Sequence, residues 1–473
     1  MKRRSAIILT VGAVFLCVML LLPLPAVTTA AGEVVYIDWR GRSALGVLGF
    51  TALLWATEAF PLAVSSLIGC ILLPLLGVVP WERVVNSGLS GDILPFLMGV
   101  MIMSEGIRES GLAHRLSVGF ASRMALDGRM VILAFLILGC GLSMLIGNLT
   151  AAAVIAPIAV SVLEANDVVC GKSNFGKALM IACVWGPIIG SIGTPVGSSS
   201  SVITMEFLND LADVHVSFAQ WMSVGIPSAL LLLVPAWLIL LTCFPLGKEP
   251  VNTRATATTI NERRRLSRGE WSVVASMLTT WILWLASRRI EQATGVRVPM
   301  SLGAVIGGLI YILTGSEEIE WANVEKSVDL SIFVTVTAGL SLGSAIHESS
   351  AGIWLANVLF SGILNMSAFP RAFLTTAIVC VLKMFFSSNT ATASIIVPIL
   401  ISLVGSESAI PIWQFIAPAG LASSLAIILV TSCPTNFIAY KSGYFTVEDM
   451  AKAGALLAVA ASLVVAVVTT FFM

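Results

Sequence analysis

Apolar stretches of bilayer-crossing length, parted by short polar loops, run through the whole chain. A membrane helix needs about 20 predominantly apolar residues. The pattern predicts helical spans over 5–27, 43–60, 62–79, 92–106, 130–165, 176–192, 199–211, 219–246, 271–287, 299–314, 329–345, 371–404, 413–431 and 450–472. The spans 130–165 and 371–404 are interrupted inside, and each interruption opens on an asparagine. One runs from Asn148 through small residues to Pro157, the other from Asn389 to Pro398. A second break follows in each half, at Gly193-Thr194-Pro195 and at Cys433-Pro434-Thr435-Asn436.

The landmarks recur. Pro80-Trp81-Glu82 answers Glu320-Trp321-Ala322, Glu109-Ser110-Gly111 answers Glu348-Ser349-Ser350, and Pro195 answers Pro434, all at an offset of about 240 residues, the mark of an internal duplication. The chain therefore divides into an N-terminal helix and loop (1–42), a first repeat (43–246), a basic linker (247–270) and a second repeat (271–473). The linker carries Lys248, Arg254, Arg263, Arg264, Arg265 and Arg268, and the N-terminus carries Lys2, Arg3 and Arg4. Basic loops stay in the cytoplasm, so both are expected there. Arg108, Arg115, Arg123 and Arg129 suit an amphipathic helix over 107–129 on the same face. Arg288, Arg289 and Arg297 run against this topology. Two consecutive repeats that each cross an odd number of times are inverted, because the second starts from the side opposite the first. Residues 26–32 could pass for a signal cleavage site, but another apolar segment follows directly, which favours a retained first helix.

Composition fixes the class. The chain is 57% hydrophobic and 11% charged, where a soluble domain carries about a quarter charged residues. An integral protein of the lipid bilayer, in the plasma (inner) membrane, is expected. Net charge is zero, so no nucleic-acid partner is expected. The eight cysteines form no CxxC pair and the three histidines lie far apart, so no metal centre is expected. No nucleophile–base pair or cofactor fingerprint stands out, and the chain does not read as an enzyme.

The breaks carry the chemistry. Unpaired backbone is costly in hydrocarbon, so a broken helix at membrane depth must line a protein cavity. Its exposed N-termini attract anions, while freed carbonyls with Ser, Thr and Asn oxygens suit sodium. Ser143 and Gly147 lie four apart on one helical face, just before Asn148. Glu58, near Pro61, reads as a hydrogen-bonded structural carboxylate of the scaffold, with a proton relay as the alternative, Lys441 as part of a solvated face or of the aqueous end of the site, and Trp81 and Trp321 as interface markers.

These residues resemble the divalent anion/sodium symporters, the dicarboxylate, citrate and sulfate carriers. The resemblance runs from about Trp39 to the C-terminus, through Trp55-Ala56-Thr57-Glu58-Ala59-Phe60-Pro61, Gly193-Thr194-Pro195-Val196-Gly197-Ser198, Ser388-Asn389-Thr390-Ala391-Thr392 and Ser442-Gly443-Tyr444. It implies an all-α polytopic fold with two inverted repeats and re-entrant hairpins, assembled as a homodimer of protomers with a scaffold and an elevator-type transport domain. It also implies a first sodium site at Ser143, Gly147, Asn148 and Gly193, and a second at Asn389 and Ser432. Substrate contacts would come from Asn148, Thr194, Pro195, Ser388, Asn389, Thr390, Cys433 and Pro434.

The chain departs from that pattern in places. The first tip reads Gly147-Asn148-Leu149 in place of Ser-Asn-Thr, with Thr150 as a partial substitute. Met384-Phe385-Phe386 replaces Thr-Glu-Phe and removes an oxygen from the second sodium site; Cys433 replaces a threonine. Against these losses stands Lys383, an ionisable residue near the second tip, and such residues within a membrane default to function. It is a candidate to supply the charge of one lost sodium; the competing reading has it snorkel to water. The expected activity is secondary transport of small divalent anions, C4-dicarboxylates first, by sodium symport or anion exchange. The alternatives are a sulfate or citrate carrier, a cation or metalloid antiporter on a related scaffold, and a passive anion channel.

Overall fold

The computed structural model describes residues 2–28, 34–89, 91–122, 127–246, 266–296, 298–315, 321–360, 362–404 and 410–473. Most of the basic linker (247–265), Arg123 and Arg297 fall outside the described residues. A first helix, α1 (Lys2–Leu21), packs along the start of the first repeat. A two-stranded antiparallel pair, Val27–Thr28 with Val34–Val35, follows it.

The first repeat holds α2 (Trp39–Thr57), α3 (Leu62–Leu75), α4 (Trp81–Leu89), α5 (Ile93–Glu109) and α6 (Leu112–Ser122). It continues through α7 (Gly128–Ile146), α8 (Asn148–Glu164), α9 (Asn174–Gly190), α10 (Ser199–Ala212) and α11 (Phe218–Cys243). The second repeat answers helix for helix. It opens with α12 (Arg268–Thr294), α13 (Met300–Thr314), α14 (Trp321–Ser327), α15 (Leu330–Glu348) and α16 (Ser350–Phe360). It closes with α17 (Ala368–Leu382), α18 (Asn389–Val404), α19 (Ile412–Ala422), α20 (Pro434–Tyr440) and α21 (Val447–Phe471). In each repeat two helices form a hairpin, α7–α8 and α17–α18, and the next helix is broken, α9–α10 and α19–α20. The same order in both halves, hairpin then broken helix then a long final helix, is that of two inverted repeats with re-entrant hairpins.

Polar residues at the loops start the long helices. Ser217 with Gln220, Ser267 with Glu270 and Thr446 with Asp449 form reciprocal capping boxes at α11, α12 and α21. Each satisfies backbone N–H groups that the first helical turn leaves without a partner. Helix α12 thus begins at Arg268, inside the segment read as linker, and α2 at Trp39, before the boundary set at 43.

Helices α7–α11 and α17–α21 pack chiefly on one another, as do α2–α6 with α12–α16, and the two groups meet along α15 against α18. Glycines make that contact close. A Cβ at Gly339 would overlap Ser394, and one at Gly343 would overlap Phe207 and Pro398. Small residues let membrane helices approach at backbone distance.

Three expectations are corrected. The span 413–431 is not continuous: α19 stops at Ala422, and residues 423–433 are irregular apart from one 3-10 turn at Val430–Ser432. The amphipathic helix over 107–129 is shorter, because Gly111 adopts φ +76 and separates α5 from α6. Arg108 belongs to α5 and pairs with Glu105, while Arg115 on α6 lies 2.9 Å from Glu270 at the start of α12. Glu58 is exposed, ends α2 at φ 48, and makes no side-chain hydrogen bond among the described residues. Lys441 and Trp81 are exposed, as expected.

Candidate functional site

The first hairpin turns at Gly147, whose φ of +79 a side chain would strain, so the tip is held to one residue between α7 and α8. A Cβ there would lie 3.7 Å from the carbonyl oxygens of Val196 and Gly197, which places the tip against the first break. Thr194 Oγ1 donates to the Met144 carbonyl at 2.8 Å and ties that break back to α7. Gly193 packs on Met144, and Pro195 is buried in the same loop. Ser143 Oγ and Asn148 Nδ2 are buried without a hydrogen-bond partner among the described residues. Buried polar atoms left unpaired cost about 1–3 kcal/mol each.

The second hairpin turns at Ser387 and Ser388 before Asn389 opens α18. Ser388 Oγ accepts from the Ala391 N–H at 3.3 Å and caps the helix. Asn389 Nδ2 donates to Ser198 Oγ at 3.4 Å, and Thr390 Oγ1 lies 2.7 Å from Ser199 Oγ. The second tip is thus hydrogen-bonded to the end of the first break. From Ser198 the chain of hydroxyls continues through Ser200 at 2.9 Å to Ser424 at 2.6 Å, at the start of the second break. Asn389 Oδ1 remains buried and unpartnered.

Freed carbonyls of both breaks are paired inside the protein. Trp221 Nε1 donates to Ile192 at 3.0 Å, and Trp185 Nε1 donates to Ile427 at 3.2 Å. Asn436 Nδ2 donates to Ala426 at 2.8 Å and to Leu429 at 3.0 Å. Irregular backbone survives at membrane depth only with such partners.

Lys383 lies in a 3-10 turn between α17 and the second tip, 1% exposed. Its Nζ donates to the carbonyls of Phe386 at 2.9 Å and Ser432 at 2.7 Å. The snorkelling alternative does not hold. Cys433 Sγ donates locally to Thr435 Oγ1 at 3.3 Å, and Pro434 is exposed at the first turn of α20, which packs against α8 and α9.

The structure thus joins Thr194 to Met144, Asn389 to Ser198, Thr390 to Ser199 and Lys383 to Ser432, with the Gly147 turn beside Val196 and Gly197. Cys433 and Pro434 lie at the second break, with the Cys433 thiol engaged within its own loop. Sequence reasoning missed Ser199, Ser200 and Ser424. The signal was available in the run Ser198 to Ser201, four hydroxyls following a glycine-proline break in an apolar chain. A cleft of about 330 Å³ lies elsewhere, between α5, α10 and α12–α13, lined by Asp92, Glu206, His215 and Glu291 among others. Its acidic wall is unsuited to a dianion.

Paired hairpins facing paired broken helices, in two inverted repeats, define a secondary active transporter with an elevator-type fold. The family model described as "Sodium:sulfate symporter transmembrane region" matches residues 3–473, and the chain belongs to that family. It is a transporter of small anions and not an enzyme. A Staphylococcus aureus (strain USA300) protein named sodium-dependent dicarboxylate transporter SdcS is 26% identical over 461 residues, covering 92% of this chain and 87% of the relative. The same figures hold for its counterpart in strain MRSA252. The fold is similar to that of the Alcanivorax borkumensis YdaH transporter, with a TM-score of 0.59 at 15% identity over 98% of this chain and 96% of that one. It is also similar to Neisseria gonorrhoeae MtrF, with a TM-score of 0.58 at 11% identity over 97% and 94%. At these identities the likeness concerns the fold alone.

Proposed function

We propose that this protein carries C4-dicarboxylates such as succinate, malate or fumarate across the plasma (inner) membrane, coupled to sodium. The observation that carries the reading is the meeting of the second tip with the first break, Asn389 on Ser198 and Thr390 on Ser199. It gathers amide and hydroxyl donors beside the first turns of α10 and α18, whose free N–H groups and positive dipole ends favour carboxylates. Asn148, Thr194, Pro195, Ser388, Asn389 and Thr390 would hold the dianion, with Cys433 and Pro434 bordering it at the second break. Sodium would bind at Ser143, Gly147, Asn148 and Gly193, where the buried Ser143 hydroxyl lacks a partner. The relatives named as sodium-dependent dicarboxylate transporters support the same substrate class and coupling.

In this reading α7–α11 and α17–α21 move as one unit against a scaffold of α2–α6 and α12–α16. The scaffold would pair with a second copy of the chain, and the N-terminus and basic linker would face the cytoplasm.

The test is uptake of labelled succinate into proteoliposomes with unlabelled competitors outside. Malate and fumarate are expected to compete, and sulfate and citrate to compete weakly. Competition by sulfate or citrate alone would replace the dicarboxylate assignment with that anion.

A further inference from the structure

Each repeat sets a hairpin beside a helix break, and in the second a lysine ammonium already holds carbonyls of both. In the first repeat the sodium site proposed above takes Ser143 on the hairpin, Asn148 at the tip, and backbone at Gly193, two residues before the proline of the break. In the second the polar corner consists of Lys383 on the hairpin, Asn389 at the tip, and backbone at Ser432, again two residues before the proline. Aligned on Asn148 and Asn389, Met384 answers Ser143, and the second corner takes an ammonium from the neighbouring Lys383. That ammonium is bonded to the Ser432 carbonyl at 2.7 Å and the tip carbonyl of Phe386 at 2.9 Å. Carbonyl oxygens freed by a broken helix are the groups that hold a coupling cation in this architecture. Here a cation covalently attached to the chain already holds them.

The electrostatics of Lys383 point the same way. An ammonium has three donors and two are satisfied. No carboxylate forms an ion pair with it among the described residues. Burying a charge without a counter-ion is costly, and a purely structural lysine would be expected beside an acid. A dianion bound between the tips supplies the missing counter-charge.

We propose that Lys383 is a resident cation: its ammonium fills the cation site of the second repeat, leaving the first-repeat site as the place for one mobile sodium. The proposal rests on the tip site assigned above. Lys383 lies on the hairpin, so its charge would travel with the transport unit in both directions. The substrate dianion would then be balanced by one sodium and one side chain.

The test counts sodium bound to purified protein in detergent, using labelled sodium and no dicarboxylate, for the wild type, Lys383→Ala and Lys383→Arg. Lys383→Ala opens the second corner and is expected to bind one more sodium per chain than the wild type. Lys383→Arg keeps a cation there and is expected to match the wild type. Equal counts for the wild type and a folded Lys383→Ala would overturn the proposal. If Lys383→Ala fails to fold, the wild type alone decides: saturation at one sodium per chain supports the proposal and saturation at two overturns it. The count needs no transport, so a protein that binds sodium as expected but takes up no succinate would refute the substrate reading separately.

Discussion

The ammonium of Lys383 lies 2.7 Å from the carbonyl oxygen of Ser432, joining the second hairpin to the second broken helix across 49 positions of sequence. Both partners are about 1% exposed. A charge held so deep in a moving unit has an electrical consequence. With Lys383 resident, each inward symport cycle carries a dianion with one sodium, a net negative charge. Uptake should therefore be favoured by an inside-positive potential. One charge is worth about 2.3 kcal/mol per 100 mV, roughly 50-fold in the accumulation ratio. Succinate accumulation in vesicles clamped at opposite potassium diffusion potentials measures this. Indifference to potential would mean that a second positive charge travels with the substrate.

Asn148 keeps a buried Nδ2 donor unpaired, and the Asn389 amide Nδ2 donates to Ser198 Oγ where the second tip meets the first break. Hydrogen bonds to charged groups contribute about 1.5–3 kcal/mol, so Asn148→Ala and Asn389→Ala should each weaken succinate binding roughly 10- to 150-fold. Calorimetric titration on folded variants reads this loss. Unchanged affinity in both would remove the tips from the site.

Ser143→Ala acts on the cation and not on the anion. Its hydroxyl is buried and unpartnered at the first corner. The variant should need several-fold more sodium for half-maximal uptake while keeping its succinate KM at saturating sodium. A change confined to succinate KM would move Ser143 into the anion site.

The seam between α15 and α18 should carry the motion. A side chain at Gly343 would run into Phe207 and Pro398. Gly343→Val is expected to abolish uptake while sodium and succinate still bind to the purified protein. Normal uptake by this variant would argue that α15 is not the sliding surface.

The indoles of Trp185 and Trp221 serve stability. Each donates to a carbonyl that a broken helix leaves free. Trp185→Phe keeps the ring packing and strands the Ile427 carbonyl, at a cost of about 1–3 kcal/mol. Thermal unfolding in detergent should show a lowered Tm for Trp185→Phe and for Trp221→Phe, with sodium binding preserved in the folded fraction.

Much of this architecture was legible in the chain. The apolar spans located most of the helices, with ends off by as much as seven residues at α12, because bilayer thickness sets their length while polar caps set their starts. The asparagine runs and the recurrence of Trp81 at Trp321 revealed the hairpins and the duplication. The extent of the second break was not legible. Residues 423–431 are apolar enough to read as helix, and only the tertiary contacts of Trp185, Asn436 and Ser200 show why they unwind. Lys383 could be singled out by its charge, but not the carbonyls that receive it. Those come from residues brought together by the meeting of two elements, which no local pattern encodes.

The most direct test of the account is uptake of labelled succinate into proteoliposomes, crossing an inward sodium gradient with the presence or absence of unlabelled succinate inside. The account predicts sodium-driven accumulation into vesicles that contain no succinate. Uptake that ignores sodium and occurs only with succinate inside would contradict sodium coupling and make the protein an exchanger.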